Sequence, residues 1–179
     1  MKKTVYLFCL LTFILPVSAC ASLTTTTGGC SNNWKVTGYY TPVETDFDTS
    51  LHTVVLARGE SVQVDERFLR EVKMEGWGRT RHGWYLGYYD GQWHKSTAPK
   101  NAFGSRLKVG MVAVSEKYLP MNSKIQLADI QTVLGVPYFM ALDRGGGVKN
   151  RHIDVYTGEG EQAKRLTWLV TGKRELCVL

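Results

Sequence analysis

The chain has 179 residues, 44% of them hydrophobic and 21% charged, with 18 glycines and 5 prolines in no repeating pattern. That length allows one folded domain, or one domain with a small appendage, whose core does not depend on disulfides; the composition excludes collagen-like, coiled-coil and disordered chains. A net charge of +6 and a pI near 9.2 suit an acidic or polymeric partner without naming one.

At the N-terminus, Lys2 and Lys3 precede an apolar run from Val5 to Leu15, and Pro16-Val17-Ser18-Ala19-Cys20 follows. A positive start, a short apolar stretch and small residues at a cleavage point describe an export signal, and the run is too short to cross a bilayer as a permanent helix. Val17-Ser18-Ala19-Cys20 resembles the lipobox of bacterial lipoproteins, with Val17 where Leu is usual. Residues 1–19 are therefore expected to be a lipoprotein signal peptide and Cys20 the lipidated first residue of the mature chain. This reading implies a lipid anchor at the periplasmic face of the outer membrane. The alternative cut, after Ala21, fits the A-x-A rule and implies a soluble periplasmic or secreted protein.

The remaining cysteines agree with export. Cys9 falls in the signal, which leaves Cys30 and Cys177 at the two ends of the domain. In an oxidising compartment such a pair can clamp the termini, with a loop-closure contribution of about 3–5 kcal/mol; two separate thiols are the alternative. Neither cysteine has a neighbouring His to activate it as a nucleophile.

Residues 20–33, rich in Thr, Gly, Ser and Asn, read as a flexible tether before a domain over residues 34–179. Strand-like runs then dominate: Trp34–Thr41, His52–Ala57, Trp84–Tyr89, Met111–Val114, Lys124–Ala128, Tyr138–Leu142, His152–Thr157 and Glu175–Leu179. Two short helices are predicted. One runs from Glu66 to Met74, with Asp65 as its N-cap and Phe68, Leu69 and Val72 on one face; the other runs from Glu161 to Leu166. Many short strands with little helix predict an all-β barrel or sandwich.

The stretch from Tyr138 to Gly158 carries the chemistry. An apolar strand ends on Asp143, three glycines follow at 145–147, and a second alternating strand places Asp154 on the face opposite Ile153 and Val155. Two strands joined by such a loop can bring both carboxyls to one groove, where burial or a neighbouring carboxylate raises a pKa as a general acid requires. The alternative is that Asp143 caps the glycine turn and Asp154 faces solvent.

Asp143-x-Gly-Gly-x-Val-Lys followed by His152-Ile153-Asp154-Val155-Tyr156-x-Gly-x-Gly resembles the signature of the 3D domain, found in membrane-bound lytic transglycosylase A and its relatives. Upstream, Val36-Thr37-Gly38-Tyr39-Tyr40-Thr41-Pro42 resembles the T-G-Y-Y segment of that family, and Met74-Glu75-Gly76-Trp77-Gly78-Arg79 its M-x-G-x-G segment. Met111-Val112-Ala113-Val114 through Leu119-Pro120 resembles the start of its barrel. The resemblance implies a six-stranded double-psi β-barrel with short helices and a small β extension, residues 42–110 being an insertion before the barrel core. It implies a peptidoglycan lytic transglycosylase that cleaves between N-acetylmuramic acid and N-acetylglucosamine and leaves a 1,6-anhydro end. Asp154 would be the general acid/base and Asp143 a supporting carboxylate, with Thr37, Tyr39 and Tyr40 lining the sugar subsites; Trp77, Gly146 and Lys149 are further candidates for binding the glycan strand. The 6-hydroxyl replaces water as nucleophile, so one carboxyl suffices to protonate the leaving oxygen and later take the hydroxyl proton. Where the family has a third aspartate, Val114-Ser115-Glu116 stands. A non-catalytic glycan-binding module and a glycoside hydrolase on the same fold are the alternatives.

Other features weigh less. Among Trp77, Trp84, Tyr85, Tyr88, Tyr89 and Trp93, most are expected in the core, and Trp77 and Trp93 are the candidates for stacking on sugar rings. Arg144, Lys149 and Arg151 form a basic cluster that either holds a substrate carboxylate or is solvated. His152 and Asp154 lie in an H-x-D pattern without a third ligand, so no metal is expected. No phosphate loop, Ser-His-Asp set or nucleic-acid motif occurs, so neither a cofactor nor a nucleic-acid partner is expected, and the chain is expected to act as a monomer.

Overall fold

Period-two alternation builds most of the architecture. The structure is a computed structural model and describes residues 28–179; the expected signal peptide, Cys20 and the expected tether up to residue 27 lie outside the described residues. Six strands close into a barrel. In chain order they are β1 (Cys30–Thr41), β7 (Met111–Val114), β8 (Lys124–Gln126), β9 (Phe139–Asp143), β10 (His152–Glu159) and β11 (Gly172–Val178), and around the barrel they run β1-β10-β7-β9-β8-β11. Two pairs are parallel, β1 with β10 and β7 with β9, and the others are antiparallel. This is the all-β, double-psi barrel that the sequence predicts. Val36, Val112, Val114, Ile125, Phe139, Ile153, Val155 and Leu176 point inward and form one core.

The insertion forms a second, smaller layer. A hairpin of β2 (Leu51–Val55) and β3 (Ser61–Asp65) leads into α1 (Glu66–Glu75) and then a three-stranded sheet of β4 (Trp77–Arg79), β5 (Tyr85–Tyr89) and β6 (Gln92–Ser96). Its own core holds Val54, Leu56, Val64, Phe68, Leu69, Val72 and Leu86. Asp65 caps α1 by accepting hydrogen bonds from the Arg67 and Phe68 N–H groups, as the sequence predicts. A third cluster of Trp77, Tyr85, Leu107 and Tyr156 packs insertion against barrel.

Several boundaries differ from the sequence expectation. β1 begins at Cys30, inside the expected tether, because Cys30 and Ser31 pair with Cys177 and Leu176 of β11 and the two cysteine sulfurs are bonded. β3, β4 and β6 are absent from the expected strands. β4 has three residues, one of them glycine, and β6 is mostly polar, held by a two-residue turn in which Asp90 and Gly91 both have positive φ. The chain after β8 forms α2 (Ala128–Leu134), which has no side-chain N-cap to announce it and ends on left-handed Gly135. The last helix, α3, is longer than predicted (Gly160–Val170) and crosses β1 at Gly38. Among the described residues, no helix is long and apolar enough to cross a membrane.

Candidate active site

A groove of about 870 Å³ runs between barrel and insertion, within the range of small-ligand sites. Its barrel wall carries Gly38, Tyr39, Ala113, Asp143 through Val148, His152 and Asp154. The insertion wall carries Lys73 through Trp77 with Tyr89 and Asp90, and the loop from Lys100 to Leu107 closes one side.

Register brings the acidic pair together. Asp154 sits opposite Thr37 of β1 and Ala113 of β7, and Ala113 in turn pairs with Asp143 of β9. The Thr37 hydroxyl donates to Asp154 Oδ1 at 2.6 Å and lies 2.8 Å from His152 Nε2. Burial pushes the Asp154 carboxyl above its ordinary value and the Asp143 charge adds to this, while the Thr37 bond and the nearby His152 and Lys35 oppose it. Burial and then Lys35 hold His152 below its ordinary value, against the pull of Asp154, so it favours the neutral imidazole.

Asp143 is held tightly. Its Oδ1 accepts the Ala102 and Arg144 N–H groups, each at 2.8 Å, and its Oδ2 accepts the Tyr39 hydroxyl at 2.7 Å. Burial first, then Asp143, raises the Tyr39 phenol far above its ordinary range and keeps it a donor. Asp143 thus caps the glycine loop and also faces the groove. None of Gly145, Gly146 and Gly147 has positive φ; the left-handed residue is Asn150, and the space around Gly146 and Gly147 is open. Their use is room for a ligand against the backbone rather than a sharp turn.

The sequence-predicted site residues divide. Asp154, Asp143, Tyr39, Trp77 and Gly146 line the groove, and Thr37 stands directly behind Asp154. Tyr40 does not line it: strand alternation turns its ring to the buried side, where its hydroxyl donates to Glu71. Lys149 is exposed and outside the lining, and Arg151 lies over the Trp34 ring. Arg144 reaches the groove but pairs with Glu116 and covers Phe103. Trp93 packs on Tyr88 and the insertion core instead of the groove. Ser115 lies beyond the end of β7, its carbonyl accepting Tyr118 and Leu119 N–H, and the β7 residue in the groove is Ala113.

Two groove residues were not among the sequence-predicted site residues, although both were named in the sequence patterns. Tyr89, half exposed, stacks on His94 with ring centroids 3.7 Å apart and presents the accessible aromatic face that Trp93 was expected to offer. Glu75 ends α1 on the insertion wall, its Oε2 accepting the Tyr40 N–H at 3.2 Å. Burial lifts its carboxyl to about 7, with the Asp154 and Glu71 charges adding and the Tyr40 bond and Lys164 opposing. The Asp-Gly pair at 90–91 is the local turn signal that could have found the first; nothing local marks the second. Among the described residues, the candidate group of metal donors is Cys30, Glu175 and Cys177, and both of its sulfurs are engaged in the disulfide.

Residues 110–179 match the sequence family described as the 3D domain. No curated protein sequence matches the chain. Among solved structures, MltA from E. coli with bound chitohexaose superposes with a TM-score of 0.56 at 17% identity, covering 82% of this chain and 71% of that one. A membrane-bound lytic murein transglycosylase from Agrobacterium tumefaciens gives 0.59 at 13% identity over 82% and 73%. MltA from Neisseria gonorrhoeae gives 0.52 at 13% over 84% and 72%. The chain therefore carries a 3D domain over residues 110–179 and shares its overall fold with the MltA lytic transglycosylases.

Proposed function

We propose that this protein is a lytic transglycosylase that cleaves the bond between N-acetylmuramic acid and N-acetylglucosamine in peptidoglycan and forms a 1,6-anhydro end. The observation that carries the reading is Asp154 itself. It is a carboxyl of raised pKa in a groove wide enough for a glycan, oriented by Thr37 and backed by Asp143. The E. coli relative of the same fold was solved with a chito-oligosaccharide bound. Asp154 donates its proton to the glycosidic oxygen, the muramic 6-hydroxyl attacks C1, and the carboxylate takes the hydroxyl proton. Asp143, Tyr39 and Thr37 hold the geometry, and Tyr89 offers an accessible face for a sugar ring, while the buried Trp77 supports it from the insertion core.

The test is a digest of purified peptidoglycan with residues 21–179 beside Asp154→Asn, read by mass spectrometry. Anhydro-muropeptides from the unaltered protein alone are expected, and retained turnover in Asp154→Asn refutes the assignment. A second reading has one observation in its favour: β7 presents a methyl group, Ala113, between the two carboxylates. A glycan-binding module without catalysis then co-sediments with peptidoglycan and releases nothing, whereas a hydrolase releases reducing muramic ends. Lipid anchoring through Cys20 is part of the same proposal, supported by the lipobox-like Val17-Ser18-Ala19-Cys20. Cys20→Ala is expected to move the protein from the membrane fraction to the soluble one, and unchanged fractionation removes the anchor.

A further inference from the structure

The acidic face of the groove continues into a basic one. Thr37, Asp154 and Ala113 are register partners across β1, β10 and β7, and Asp143 of β9 pairs with Ala113. Two positions back along β1, Lys35 pairs with His152 of β10 on one side and with Lys173 of β11 on the other. Residues two apart on a strand share a face, and so do register partners on neighbouring strands. Lys173, Lys35 and His152 therefore form a second row on the face that carries Thr37 and Asp154, about 7 Å further along the strands. His152 and Asp154 both line the groove, so the two lysines carry that face past its lining. Lys35 is near enough to act on the charge of both residues.

Nothing in the described fold takes up these two charges. Lys35 and Lys173 are exposed, and among the described residues neither forms an ion pair. Like charges opposite one another on adjacent strands cost the sheet free energy. The carboxylate on the same face of β11, Glu175, lies two positions away toward the disulfide. Arg144, Lys164 and Arg174, by contrast, each hold a carboxylate, and Arg151 lies over the Trp34 ring. A like-charged pair kept beside the groove without a partner is a site for an anion.

Resting on the transglycosylase reading, we propose that Lys35 and Lys173 form a carboxylate subsite that takes the acidic stem peptide of the muramic acid. Peptide-bearing strands are then the preferred substrate. The sugars of the strand are neutral, and the muramic lactyl carboxyl is consumed in the amide bond to the peptide. The anionic groups next to the cleaved bond are thus the free carboxylates of the stem. An ammonium group is a compact charge on a flexible stem, suited to a carboxylate that moves with its peptide rather than to a fixed planar partner.

The experiment compares purified peptidoglycan with the same material after its free carboxyls are converted to methylamides by a carbodiimide and methylamine. Lys173 is the residue to change, because Lys35 also bears on Asp154 and its loss would alter the acid itself. The unaltered protein is expected to show the lower KM on untreated strands with similar kcat, and the gap is expected to narrow as salt rises. K173Q is expected to lower the ratio of kcat/KM between the two substrates about fivefold, the size of one exposed charge contact. K173E lowers it further and K173R keeps it; circular dichroism checks each fold. A ratio near one for the unaltered protein, or a ratio that K173E leaves in place, overturns the subsite. Co-sedimentation of D154N, with and without K173E, reads binding apart from cleavage. If the unaltered protein cleaves neither material, the transglycosylase reading fails, and this second readout decides the subsite alone. Salt-sensitive binding to untreated strands that K173E removes upholds it, and equal binding to both materials overturns it.

Discussion

Glu75 shows how much a single side chain can cost the fold that carries it. Its ordinary pKa of 4.5 rises to about 7 in the native state, so the folded protein binds a proton that the unfolded chain releases between those values. Stability therefore falls as pH rises from about 4.5 to about 7 and stays lower above that. E75Q removes the penalty and keeps the acceptor for the Tyr40 N–H. It is expected to match the unaltered protein near pH 4 and to exceed it near pH 8 by on the order of 2–3 kcal/mol. Chemical denaturation at the two pH values measures this, and an equal difference at both means that Glu75 titrates normally. Retaining a group that destabilises the native state at neutral pH is characteristic of functional sites. Asp65 is the opposite case. Burial raises its carboxyl, but the Phe68, Thr49 and Arg67 hydrogen bonds outweigh that and hold it below its ordinary value. Its contribution is present at neutral pH and is lost only as pH falls through that lowered value.

At the scale of elements, the contact between α3 and β1 fixes the barrel wall of the groove. Gly38 lies beneath α3, where an added Cβ would stand 2.7 Å from Thr167 Cα and 2.8 Å from Val170 Cγ2. The nearest atom belongs to the helix backbone, so relief requires the helix or the strand to move. Gly38→Ala is expected to cost about 1–3 kcal/mol and to disturb Thr37 and Tyr39, its neighbours on β1. A loss below about 0.5 kcal/mol in denaturant titration contradicts this packing argument. Alternation along β1 also explains why Tyr39 and Tyr40 part company. Tyr39 turns to the groove and Asp143, while Tyr40 turns to Glu71. The T-G-Y-Y pattern marks both as important, and only the parity of the strand assigns them to different faces.

For the molecule as a whole, two long-range contacts matter most. The Cys30–Cys177 disulfide spans 147 residues, and on the chain-entropy account closing such a loop contributes about 5 kcal/mol. It joins the first and last strands of the barrel where they pair, so the closure of the barrel and the constraint on the chain ends coincide. The second contact is the cluster of Trp77, Tyr85, Leu107 and Tyr156. It seats the insertion on the barrel and so makes a groove from two walls, neither of which is a site alone.

The sequence by itself determined the main barrel strands, the α1 cap and the face of β10 on which Asp154 lies, because these depend on neighbours within one element, whereas Asp143 and Asp154 come to one groove through β7, which pairs between their strands. Asp154 lies between Ile153 and Val155, so burying those two must turn it the other way. Tertiary structure decided the rest. The polar strand β6 forms because β5 pairs with it, Tyr89 rather than Trp93 reaches the groove because of the turn at Asp90 and Gly91, and Ala113 rather than Ser115 faces the carboxylates because of where β7 pairs with β9 and β10. Glu75 comes to the same groove as Asp154 only when the insertion packs on the barrel. No local pattern encodes that meeting, because it depends on apolar side chains far apart in sequence finding one another.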